Sequence, residues 1–441
     1  MLRLIWSDLL ESVRIWLGIV VVSAAAAVVG AVVATDVETG VATGGTTALA
    51  LYAVSGTMTV LGLASAFVVL GSVSGLVTTL KQRDYALWQL AGLRARQIRA
   101  VVYVQLATLA LLGSVAGIAL ALPLVGPLFR YGFSTSEGLT AVEPRFGPVS
   151  GAAVAGFVVL LVVAGSRRGV RSAGRVPIIQ TLREADVGEA AMTWPRWALA
   201  AAALGVLGAV GSTLPGRDPD QVGAPLMLFG PLLALALVAL APALTTRLIG
   251  GWTRVLPQSR STGWYLARNA TMSAGGRSIP VINPLMVSIA LAGGVYAAAG
   301  AGGAAGGTVT APTVVLLLGG PVLLSLLGAS ATIFMSSRIR EREVALVVAT
   351  GGTRATVVSA AASEAVIYVG TAVLLGAAVV TVTSLVGGWA TGQGPAALLT
   401  AGPPAAIAAV TGLGAILIVP ATVLPALAAL RTDVPQVLAA E

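Results

Sequence analysis

Residues 83–92 read Arg-Asp-Tyr-Ala-Leu-Trp-Gln-Leu-Ala-Gly, and residues 342–351 read Arg-Glu-Val-Ala-Leu-Val-Val-Ala-Thr-Gly. The arginine, the acid, the Ala-Leu pair and the closing glycine recur in the same places, 259 positions apart (83 to 342, 92 to 351). The register holds beyond the motif: Gln105 aligns with Glu364, Gly113 with Ala372 and Gly117 with Gly376. A fixed offset of this kind marks an internal duplication. Both copies lie between long apolar stretches, so the duplicated unit belongs in a membrane.

Composition agrees. The chain is 57% hydrophobic and 10% charged, with mean hydropathy +0.94, more apolar surface than a soluble core can hide. A spanning helix needs roughly 20 apolar residues. Such windows fall at 15–35, 52–77, 101–128, 150–166 and 196–214, then at 225–246, 279–300, 312–336, 356–388 and 402–427. Turn-separated alternating segments are lacking, which argues against a transmembrane barrel. The expectation is an all-α integral membrane protein of about ten transmembrane helices.

Charge sets the orientation, because short loops keep their basic residues on the cytoplasmic side. With the N-terminus inside, all of the 26 Lys and Arg residues except Arg130, Arg145 and Arg217 fall on that side. The outer connections carry Asp36, Glu38, Glu137, Glu143, Asp218 and Asp220. Both termini are expected in the cytoplasm, and the net charge of +9 reflects topology rather than nucleic-acid binding. Asp8 and Glu11 speak against a cleaved signal peptide. An amphipathic lead with Leu2, Ile5, Trp6, Leu9 and Leu10 on one face is expected at the inner interface instead.

The second motif begins six helices after the first, an even number, so the two copies run parallel. This gives a four-helix unit over 1–184, a linker and inserted helix pair over 185–261, and a second four-helix unit over 262–441. Within each unit the motif lies between the second and third helices, on the cytoplasmic side. Its apolar residues at helical spacing predict a short amphipathic elbow. Gly92 and the Gly351-Gly352 pair then permit a sharp reversal into the next span. Single arginines here would merely obey the positive-inside rule, but matched acid, Ala-Leu and glycine in two distant loops point to a shared partner.

These features resemble the FtsX-like, or MacB-type, permeases of ATP-binding-cassette transporters. The resemblance rests on the Arg-acid-x-Ala-Leu-x4-Gly motif, on Gln105 and Glu364 early in the third helix of each unit, and on Arg175-Val176-Pro177 with its weaker echo Asp433-Val434-Pro435. It implies a permease subunit driven by a separate cytoplasmic ATPase, two copies per chain, docking on Lys81, Arg83, Asp84, Gly92, Arg94 and Arg96 and on Arg340, Arg342, Glu343, Gly351 and Arg354. ATP and Mg would then bind the partner. This chain lacks a Gly-x4-Gly-Lys-Ser/Thr loop, and its only lysine is Lys81. With neither Cys nor His, it offers no thiol nucleophile and no Cys/His metal site. Neither intrinsic catalysis nor a bound cofactor is expected. The bias to Arg over Lys and to Ala, Gly and Val suggests a high-GC bacterium and its plasma membrane.

Permeases of that shape carry a large extracytoplasmic domain, whereas the connections here, 36–51 and 301–311, are short. Export or extraction of a lipid, peptide or other amphipathic substrate fits this outline, with or without a further substrate-handling subunit. A non-transporting signalling role shares the same ATPase and stays open. An ion-coupled carrier would need several intramembrane acids. Only Glu364 approaches that, about 12 Å along its helix at ~1.5 Å per residue, and a structural or hinge role suits it better. Gly113 and Gly117, with Ala372 and Gly376, form small-x3-small faces for close helix packing.

Overall fold

The computed structural model describes residues 13–134, 139, 142–173, 192–255, 261–273, 275–301, 310–392 and 403–430. Every regular element among them is helical. The long helices are α1 (Val13–Thr43), α2 (Gly45–Leu80), α4 (Ala95–Gly132), α5 (Pro148–Ala173), α6 (Trp194–Ser212) and α8 (Phe229–Trp252). They continue with α10 (Gly275–Ala301), α11 (Ala311–Met335), α13 (Arg354–Thr391) and α14 (Pro403–Ala429). Between them lie the short helices α3 (Gln82–Leu90), α7 (Pro219–Leu226), α9 (Thr262–Ser273) and α12 (Ser337–Ala349). Among the described residues ten helices are long and apolar enough to cross a membrane, the ten that the apolar windows anticipate. The chain is a multi-pass membrane protein.

One expectation fails at the far end, opposite the elbows. Residues 36–51 are not a loop: α1 runs on to Thr43, and only Gly44, at φ +68°, separates it from α2. Asp36 and Glu38 therefore sit on helix rather than in a loop, Asp36 buried and Glu38 partly exposed. Glu38 accepts from the Ser150 hydroxyl and, at 2.8 Å, from the Gly147 amide, while Thr39 accepts from the Arg145 amide at 2.9 Å. These bonds tie the end of α1 to the start of α5. The α9 helix is also additional to the sequence reading. The lead at 1–12, Glu137, Arg175-Val176-Pro177, residues 302–309 and Asp433-Val434-Pro435 lie outside the described residues.

Helix α1 packs on α2, α4 and α5, and α10 packs on α11, α13 and α14, the same succession of neighbours in chain order. Small residues set the closest approaches. A Cβ on Gly113 would fall 2.6 Å from the Val20 carbonyl oxygen, and one on Gly117 would fall 2.2 Å from that of Ala24, so α1 and α4 touch backbone to backbone. On the other side a Cβ on Gly376 would meet Ile289 at 2.6 Å, and Ala372 is fully buried. Helices α2 and α11 join the two sets, with the buried Ser65 hydroxyl 2.7 Å from that of Ser325 and 2.8 Å from the Pro321 carbonyl. The intervening pair is lopsided: α8 packs against α2, α10 and α13, with Gly230 against Gly294. It makes α10 the most enclosed span of all, 94% buried.

Candidate functional site: two matched elbows

The residues that recur at an offset of 259 also recur in conformation. α3 and α12 are short helices that break at Gly92 and Gly351, both at φ +90°. That region penalises any residue with a Cβ, so glycine permits the reversal into α4 and α13. Ala86 and Ala345 are both buried, whereas Leu87 and Leu346 are 48% and 49% exposed. Each elbow thus turns its alanine inward and its leucine outward. Arg83, Arg94, Arg96 and Arg354 are exposed around them. Arg340 and Arg342 lie on α12, but their side chains are outside those described.

The elbow acids are paired internally, and by different partners. Asp84 is 3.5 Å from Lys81 Nζ, while Glu343 accepts from Arg277, at the start of α10, at 2.6 Å. Both acids are about half exposed, so each pair contributes roughly 0.2–1 kcal/mol. Lys81 departs from its expected place on the docking surface. Its side chain is 1% exposed and its ammonium stands 5.4 Å from the Trp16 ring centre, a cation–π distance. It anchors the first elbow to α1 and is not presented to a partner.

The expected intramembrane polar pair divides in the same way. Gln105 is fully buried in α4. Glu364, half-buried in α13, accepts from the Tyr368 hydroxyl one turn along. Glu364 and Tyr368 line a small polar pocket with Arg277, Ser336 and Glu343. One guanidinium thus stands among the elbow acid and the spanning-helix acid. The two positions of the sequence reading, Glu343 and Glu364, share one pocket with Arg277, which that reading did not single out. Position 18, which corresponds to 277, is glycine, so the repeat carries no sign of it.

A second set of residues pins the inserted pair beside this pocket. Trp252 Nε1 donates to Thr371 at 3.1 Å, and the Trp252 and Trp264 rings meet edge to face at 6.1 Å. The buried Arg268 of α9 donates to Thr253 at 2.9 Å. No cluster able to hold a metal occurs among the described residues.

Residues 56–173 match the family model of the FtsX-like permease C-terminal domain. The match spans most of α2, the first elbow, α4 and α5, so the Arg83–Gly92 motif lies within the stretch that is similar to that domain. Comparison with curated proteins and with solved structures finds no match. The second elbow lies beyond the matched residues and stands on the 259-residue offset and its geometry.

Proposed function

We propose that this chain is the membrane subunit of an ATP-binding-cassette transporter, built as two parallel four-helix units, 1–184 and 262–441, around an inserted helix pair. A separate cytoplasmic ATPase docks on the elbows, one copy on each, and supplies the ATP and Mg chemistry. The observation that carries this reading is the paired elbow. Two helices at matched positions expose a leucine and turn on glycines at the same φ, with exposed Arg83, Arg94 and Arg96 at the first elbow and exposed Arg354 at the second. An exposed leucine on a basic elbow suits a protein surface that buries the leucine and pairs the arginines. The FtsX-like permease match over the first elbow supports it.

Transmission follows from the ion pairs. A push on α12 reaches α10 through Glu343–Arg277, and α13 through the continuous turn at Gly351. A push on α3 reaches α1 through the Lys81 anchor at Trp16. The outcome is export or extraction of a lipid, peptide or other amphipathic substrate from a bacterial plasma membrane.

The test is affinity purification from native membranes in mild detergent. A P-loop ATPase is expected to co-purify, and Leu87→Asp with Leu346→Asp to release it while the chain stays folded. A folded chain with no ATPase, or one retained by the double variant, would overturn the docking assignment.

A further inference from the structure

Several apolar clefts interrupt the lipid-facing surface, and one of them is bounded by three spanning helices of the first half. It lies between α1, α2 and α5, with Leu324 of α11 also on its wall, and encloses about 350 Å³. That is within the ~300–1,000 Å³ of ligand pockets. Small residues stand among its lining, Ala26 and Gly30 on α1 and Gly62 on α2, with Val154 packed on Gly30 and Val29 on Gly62. Leu63 and Phe157, 36% and 48% exposed, stand on its walls, so the cleft opens on the bilayer. Among its lining side chains only Thr59 is polar, and its hydroxyl is spent on the Ser55 carbonyl at 2.6 Å.

Two α1 positions that line this cleft carry larger residues in the second half. At the same offset, Ala26 becomes Leu285 and Gly30 becomes Ile289. Both are fully buried, Leu285 reaching Gly414 of α14 and Ile289 reaching Gly376 of α13. Leu285 thus packs on the last helix where the first half has only the methyl group of Ala26.

We propose that the α1/α2/α5 cleft is a binding site for one lipid acyl chain. Three properties select that occupant. The cleft lies within three spanning segments, where the surrounding medium is hydrocarbon. It has no free hydrogen-bonding side chain for a headgroup or an unwound peptide. A transmembrane helix, about 10–12 Å across, is too wide to enter it, whereas a lipid tail is slender enough. The aliphatic and aromatic walls, among them Val29, Val33, Phe157 and Leu161, supply the dispersion contacts that replace those of the bulk membrane.

The experiment needs no ATPase, so its outcome is independent of the permease reading. The full chain is equilibrated in vesicles of phosphatidylethanolamine and phosphatidylglycerol, extracted in mild detergent, and weighed by native mass spectrometry. One phospholipid per chain is expected to remain on the wild type and to be lost in Ala26→Leu, which brings the second half's leucine into the first. Ala153→Trp, on the exposed α5 wall of the cleft, is expected to lose it by blocking the mouth while leaving helix packing alone. Leu112→Trp, on the lipid face of α4 and outside the cleft, is expected to keep it. Unfolded material is excluded by thermal unfolding of each variant. Equal retention in all four proteins, no lipid on the wild type, or displacement of a bound polypeptide instead of lipid would each overturn the assignment.

Discussion

At the scale of single residues, the glycines fall into two kinds that composition cannot tell apart. Gly117 lies against the backbone of α1, whereas a Cβ on Gly126 of the same helix would meet nothing within 4 Å. Gly117→Ala is therefore expected to lower stability by about 1–3 kcal/mol through overpacking. Gly126→Ala should leave stability unchanged or raise it by up to about 1 kcal/mol through helix propensity. Thermal unfolding in detergent separates them, and an equal effect would mean that the helices do not touch at Gly117. Asp36 shows the opposite problem. Its carboxylate oxygens are buried without a hydrogen-bond partner among the described residues. A buried polar group in that condition costs about 1–3 kcal/mol, so Asp36→Leu is expected to raise the unfolding temperature. A fall instead would reveal a partner that holds the acid.

At the scale of elements, each elbow is a short helix with a glycine hinge and one internal ion pair. The hinge glycines at φ +90° predict that Gly92→Ala and Gly351→Ala each cost about 1–2 kcal/mol. Both should speed proteolysis at the elbows, and no change would mean that the turns are free to relax. The ion pairs make the elbows unequal, because Lys81 ties α3 to α1 whereas Arg277 ties α12 to α10. Arg277→Glu is expected to loosen α12, and Arg277→Glu with Glu343→Arg to restore it. Hydrogen exchange over residues 341–350 reads the difference. Failure of the double reversal to rescue would show that Arg277 serves Glu364 rather than the elbow.

At the scale of the whole molecule, parity places both elbows at one end of the bundle and the α1/α2 turn at the other. The absence of cysteine makes sidedness directly testable. Single cysteines at the exposed Ser134 and Thr213 are expected to react with a membrane-impermeant maleimide in intact cells. Cysteines at Ala91 and Thr350, also exposed, should react only after permeabilisation. The reverse pattern would invert the topology. The asymmetry of the bundle comes from the insert, since α8 packs on α10 and α13 of the second half but on α2 alone of the first.

The helix count, the two elbows and their hinges were legible in the chain because each rests on a local rule. Twenty apolar residues span a bilayer, a charge beside a span stays outside the hydrocarbon, and a glycine reverses a helix. The 259-residue offset added the pairing of Asp84 with Glu343 and of Leu87 with Leu346. Packing decided the rest. Arg277 meets Glu343 and lines the pocket of Glu364 only because α9, α10, α12 and α13 converge, and Lys81 turns inward because Trp16 offers it a ring. Where the duplication broke, at Gly18 against Arg277 and at Ala26 against Leu285, sequence periodicity fell silent. Those departures place an ion pair and a cleft, because burial and contact depend on which helices are neighbours, and neighbours are set by the fold as a whole.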